Sequence, residues 1–166
     1  LKHPVNELLT LPVDHAFRQD LLTGAIRFKI GVAMKDYREK NLRKVLNFGH
    51  TIGHALETWS LMNSGKPLLH GEAVAAGMIC AAWLSQQKSG LSISCTEEIK
   101  SYISAGFTRF PIDKSCKSAI IGLMMYDKKS CNGLHRFTLL AGPGSPVINV
   151  ACLEPEISGA IDFYNR

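Results

Sequence analysis

Residues 68–88, LLHGEAVAAGMICAAWLSQQK, limit the possible folds more than any other stretch of the chain. From Ala73 to Leu84 the tract is apolar on every side. A helix without a polar face has to be enclosed by other elements. The tract is too short to span a bilayer. It therefore predicts a buried helix through the middle of a bundle. His70 stands at its entrance, and Glu72 lies in its first turn, where a carboxylate complements the helix dipole.

A chain of 166 residues with 46% hydrophobic side chains can build one compact domain around such a helix. Its net charge of +5 is spread along the sequence rather than gathered into a run. That distribution suits a solvated surface or a pocket for an anionic small molecule, and argues against a nucleic-acid face. The five cysteines are odd in number and form no CxxC pair, which predicts reduced thiols, a cytoplasmic setting and no disulfide framework. No secretory signal and no membrane span are recognisable. The first residue is Leu1 rather than methionine, so a fragment or processed chain is expected.

Around the apolar tract the other elements follow in order. Residues 1–13, with Pro4 and Pro12, read as a lead-in. Asp14 caps a helix expected to run to about Lys35, with Phe17, Leu21, Leu22, Ala25, Ile26 and Phe28 as its apolar positions. Lys29 in that helix is expected to be partly buried. The charged segment 35–41 reads as a loop. Ser94 with Glu97 resembles a capping box and starts a helix ending near Gly106. Pro111 and Asp113 introduce another helix, with Ala119, Ile120, Leu123 and Met124 inward, ending at residues 126–130. His135–Leu140 and Pro146–Val150, joined by AGPGS, predict a small hairpin. A closing helix runs from Glu154 to Tyr164. The expected fold class is mainly α: a helical bundle with a minor β-hairpin.

The chemistry gathers in residues 43–57, RKVLNFGHTIGHALE. Read as one helix at about 100° per residue, Arg43, Asn47, His50 and His54 share a sector of roughly 60°. Val45, Phe48, Ile52, Ala55 and Trp59 form the opposite, core-facing stripe. Gly49 and Gly53 lie together on a flank. Each interior glycine costs about 1 kcal/mol against alanine, which predicts that a neighbouring backbone approaches closely there.

His50 and His54, four residues apart, can share a metal, although the HExxH pattern is absent because residue 51 is Thr. Alternatively, one of them pairs with His70 across the turn between the two helices. A catalytic zinc site needs three protein ligands and an open position, and no Asp or Glu offers itself as an obvious third ligand. Hydrogen-bonded structural histidines are the competing reading. Lys29, Arg43 and the Lys128–Lys129 pair, joined with Asn47 and His54, would suit a substrate carrying several oxyanions. Gly142-Pro143-Gly144 lacks phosphate-loop spacing and reads as a turn.

LRKVLNFGHTIGHALE (42–57), LLHGEAV (68–74) and DKK (127–129), in this order and near this spacing, closely resemble the C-terminal half of 3-dehydroquinate synthase, from about Lys29 to Gly144. The resemblance implies that residues 1–166 are a metal- and substrate-binding helical domain of a longer enzyme, with the NAD-binding domain and a third ligand, a glutamate, upstream. It implies His50 and His70 as ligands for zinc or another divalent metal such as cobalt. Lys29, Arg43, Asn47 and His54 match substrate contacts, and Glu39 matches a supporting carboxylate. Lys128 is the choice for a further contact, with Lys129 the alternative. The reaction implied is conversion of 3-deoxy-D-arabino-heptulosonate 7-phosphate to 3-dehydroquinate and phosphate, in the shikimate route to aromatic amino acids, by a homodimeric, NAD-dependent lyase. Taken alone, the chain is expected to be inactive and to hold zinc weakly. Other sugar-phosphate cyclases and glycerol-dehydrogenase-like enzymes share parts of this pattern. A helical oligomerisation module with structural histidines is the non-enzymatic alternative.

Overall fold

The computed structural model describes residues 15–124 and 134–166. Two compact units divide the chain, Leu1–Leu46 and Asn47–Arg166. In the first, helix α1 spans His15–Lys35, close to the expected bounds. Its apolar positions are not a core stripe, however: Leu21, Leu22, Ile26 and Phe28 are 48–64% exposed. Lys29 is likewise exposed, not partly buried as its apolar neighbours suggested. Apolar spacing alone marks a face and does not say that anything covers it.

The second unit is a helical bundle with a hairpin, as predicted. Helix α2 spans His50–Asn63, α3 His70–Lys88, α4 Ile93–Gly106, α5 Lys114–Met124 and α6 Glu154–Asn165. Strands β1 (Leu134–Gly142) and β2 (Ser145–Leu153) pair antiparallel. Helix α3 is the axis, with α2, α4, α6 and β1 packed around it. Ala73, Ala76, Ile79, Cys80, Ala81 and Leu84 are all buried in it. Ile52 and Leu56 of α2, Ile120 of α5, Leu139 of β1 and Ile157 and Ile161 of α6 fill the space around it. Each such side chain contributes about 1.5–3 kcal/mol when withdrawn from water. Burial pushes the Cys80 thiol up to about 12, as suits a cysteine serving as a small core hydrophobe.

Buried hydroxyls fasten the connections. Ser85 Oγ donates to Ala81 O at 2.6 Å and accepts from Leu140 N at 2.9 Å, tying β1 to the axis. Tyr164 Oη donates to Phe110 O at 2.9 Å and accepts from Phe110 N at 3.0 Å, so the end of α6 holds the α4–α5 connection.

Several local expectations are corrected. The cap of α4 is Ser92, whose Oγ accepts from Cys95 N at 3.2 Å, rather than Ser94. Inward positions of α5 include Ile121 and Cys116, while Ala119 is exposed. Its expected end at 126–130 lies outside the described residues. Asp113 caps α5 by accepting from Ser115 Oγ, Ser115 N and Cys116 N at 2.6–3.0 Å. The hairpin turns at Pro143-Gly144, where Gly144 takes φ +74.

Candidate metal centre

The polar stretch 43–57 is not one helix. Leu42–Asn47 form a 3-10 helix, and α2 begins only at His50, after Gly49 at φ +82. That left-handed conformation costs a residue with a Cβ about 1–2 kcal/mol. Gly49 is therefore the N-cap of α2 and not an interior residue. The common sector for Arg43, Asn47, His50 and His54 fails with the helix. The relation between His50 and His54, four residues apart within α2, survives.

Close approach of a neighbouring backbone is present where the glycines predicted it. A Cβ on Gly53 would stand 2.9 Å from Val74 Cα, and one on Gly77 would stand 2.0 Å from Gly49 O. Where α2 and α3 cross, Gly53 and Gly77 thus set backbone against backbone, and Gly49 faces the backbone and side chain of Met78. The return from α2 to α3 is fixed by Ser60. Its buried Oγ donates to Glu57 O at 2.9 Å and accepts from Leu68 N at 3.1 Å. Glu72 Oε2 accepts from Leu69 N at 2.8 Å and finishes the start of α3.

These contacts bring three imidazoles together. The ring centroids of His50 and His54 are 5.4 Å apart, those of His50 and His70 5.7 Å, and those of His54 and His70 5.6 Å. One nitrogen of each lies within 4.8 Å of the others. Nitrogens on a tetrahedral zinc at about 2.1 Å stand about 3.4 Å from one another. His50 is half-buried, and His54 and His70 are exposed, so the cluster is open to solvent and ligand. His50 Nδ1 lies 3.3 Å from Phe48 O. A carbonyl only accepts, so this contact is a hydrogen bond in the tautomer that carries its proton on Nδ1. Neutral imidazole donors suit zinc and cobalt. The residues present fit a divalent metal.

The first unit holds three other expected site residues. Arg43 Nε stands 4.0 Å from Glu39 Oε2, and Glu39 takes φ 52. Both are over a third exposed, so the pair orients more than it stabilises. Asp36, which the sequence did not single out, organises this loop. Its carboxylate accepts from the backbone N–H groups of Lys40, Asn41 and Arg43 at 2.8–3.1 Å. Those bonds, that from Arg43 first, hold its pKa below the ordinary carboxylate value. Lys29 is exposed on α1. Asn47 closes the 3-10 helix. Lys128 and Lys129 lie outside the described residues. Glu57, which the sequence did not single out either, stands 3.0 Å from His70 Nδ1. The only sequence sign of it was its place on α2, one turn beyond His54.

The bundle has the fold of the sugar-phosphate cyclases. It superposes on the crystal structure of 2-deoxy-scyllo-inosose synthase complexed with carbaglucose-6-phosphate, NAD+ and Co2+, with a TM-score of 0.70 and 26% identity. That match covers 84% of this chain and 39% of the other. The chain belongs to the 3-dehydroquinate synthase C-terminal family, whose model matches residues 1–130. It is 33% identical to the 3-dehydroquinate synthase of Parabacteroides distasonis over 93% of its own length and 43% of the relative's. With that of Leptospira interrogans the figures are 38%, 91% and 41%. The chain thus spans about two fifths of the length of these relatives.

Proposed function

We propose that the chain forms the metal- and substrate-binding wall of a 3-dehydroquinate synthase. The substrate is 3-deoxy-D-arabino-heptulosonate 7-phosphate, the product 3-dehydroquinate, and the reaction a phosphate elimination followed by ring closure. The observation that carries this reading is the meeting of His50, His54 and His70 at one point on two helices of a family member.

His50 and His70 would hold the metal through Nε2, and His54 would meet the substrate at the metal's edge. A bound divalent ion supplies Lewis acidity to a hydroxyl oxygen of the sugar. Arg43, kept in place by the Asp36 loop and Glu39, presents a planar fork suited to a carboxylate or phosphate. Lys29 and Lys128 add point charges for the same anionic groups, and Asn47 supplies an amide that both donates and accepts. The gain from this set is largely orientation of a charged, flexible substrate. NAD does not fit the described residues: the sheet among them is a two-stranded antiparallel hairpin, not a βαβ nucleotide unit.

Cytoplasmic action in a homodimer completes the proposal. The cytoplasmic setting is supported by the free cysteines among the described residues. No helix among the described residues is long and apolar enough to cross a membrane.

A sugar phosphate without a carboxylate is the second reading, favoured by the neighbour bound to carbaglucose-6-phosphate. The higher identity to the dehydroquinate synthases, 33–38% against 26%, supports the first. Calorimetric titration distinguishes them. One Co2+ per chain should bind, weakly, binding should be lost in His50→Ala and His70→Ala, and the heptulosonate phosphate should bind more tightly than glucose 6-phosphate. Metal uptake indifferent to both substitutions would refute the site, and preference for glucose 6-phosphate would refute the substrate.

A further inference from the structure

Glu57 lies on α2, three residues beyond His54 and seven beyond His50, with its side chain 27% exposed. Its Oε2 stands 3.0 Å from Nδ1 of His70, on the other helix of the crossing. A second contact fixes where Glu57 sits: its own carbonyl accepts the Ser60 hydroxyl that also holds Leu68 N, two residues before His70. The carboxylate therefore meets a ring delivered to it by the same turn.

We infer that Glu57 is the positioning residue of the metal centre, holding His70 as the Nδ1–H tautomer so that Nε2 faces the ion. The inference rests on the metal reading above. Its logic is chemical. An ionised carboxylate accepts only, so the nitrogen beside it must carry the proton. A neutral imidazole has one N–H, and the lone pair then resides on Nε2. His50 Nδ1 likewise faces an acceptor, the Phe48 carbonyl at 3.3 Å, and the two rings stand 5.7 Å apart on two helices. The two partners differ, however. A carbonyl orients its ring, whereas a carboxylate orients the ring, makes it a better donor and adds a negative charge beside a cation. His70 is the exposed ring of the pair, its side chain 56% open to solvent, and has fewer packing contacts to fix its rotamer. It is the ligand that needs such a partner.

The test uses the 166-residue chain with Glu57→Ala and the gentler Glu57→Gln, and reads Co2+ affinity, the Co2+ visible spectrum and the His70 tautomer by two-bond 1H–15N NMR of the metal-free protein. Wild-type His70 should show the Nδ1–H pattern. Glu57→Ala should weaken Co2+ binding about 10- to 100-fold, alter the ligand-field bands and shift His70 toward the Nε2–H form. Glu57→Gln, whose amide oxygen still accepts, should retain the tautomer and lose less affinity. Unchanged unfolding temperature would separate these effects from a fold defect. Unaltered Co2+ affinity with an unaltered tautomer in Glu57→Ala would overturn the inference. Should the wild type take up no Co2+ even at millimolar ion, the reading of these histidines as a centre that this chain fills by itself falls, and the tautomer measurement still decides whether Glu57 orients His70.

Discussion

Gly77 of α3 lies so close to Gly49 of α2 that a Cβ on Gly77 would come within 2.0 Å of the Gly49 carbonyl oxygen and 2.8 Å of Gly53 N. Both obstacles are backbone, so neither can rotate aside. The crossing carries His50 and His54 on one helix and His70 on the other, which makes the separation of the rings a property of two main chains.

Gly77→Ala should therefore destabilise the protein by about 3 kcal/mol or more, at the upper end of overpacking effects. Denaturant unfolding measures this. Gly71→Ala, where an added Cβ meets nothing within 4 Å, is the control and should stay within about 0.5 kcal/mol of wild type.

Ser60→Ala removes a buried hydroxyl that serves two partners and leaves Leu68 N without its acceptor. The expected loss is about 1–3 kcal/mol. Because Leu68 leads into His70, Co2+ affinity should fall along with stability. Ser64→Ala, in the exposed part of the same turn, should leave metal binding unchanged.

His54 and its two neighbours should separate by function. In His54→Ala, metal affinity should remain within about tenfold of wild type while substrate affinity drops, since one anion-facing hydrogen bond is worth about 1.5–3 kcal/mol. A metal loss equal to that of His50→Ala would place His54 among the ligands. Paired titrations with Co2+ alone and with Co2+ plus the heptulosonate phosphate give the answer.

Acid should loosen the start of α5 in a defined window. Bonds from Ser115 Oγ and then Cys116 bring Asp113 down to about 2. A depressed folded value means its contribution is complete above the unfolded carboxylate value of about 3.9, and is lost as pH falls toward 2. Asp113→Asn should flatten that part of the stability profile, which unfolding curves collected between about pH 5 and pH 2 will show.

The central helix was legible because α3 has no polar face, and only the middle of a bundle accommodates such a helix. The hairpin was legible from its turn residues, and the glycine crossing from the cost of glycines in a helical stretch. The helix break at Gly49 was not, since periodicity carries straight through a positive φ when the flanking residues keep the right spacing. The exposed face of α1 was misread for a related reason: Leu21, Leu22, Ile26 and Phe28 are apolar in sequence, and sequence is silent on what covers them. Among the proposed site residues, His50 and His70 are paired by the family resemblance of the motifs around them, a pairing that spacing alone left open. Asp36 and Glu57 escaped notice, because their roles are contacts, to backbone N–H groups in a loop and to a ring thirteen residues away, that exist only once the chain has turned back.

The boundary between the two compact units falls after Leu46. Lys29, Glu39 and Arg43 lie before it, whereas Gly49, Gly53, Glu57, Ser60, Gly77 and all three clustered histidines lie after it. The imidazole cluster is thus written as a cassette. Recombination that exchanged the first 46 residues would replace Lys29, Glu39 and Arg43 and leave the spacing of the three imidazoles intact, so under the proposed function a lineage of such chains could change what it binds without rebuilding the cluster.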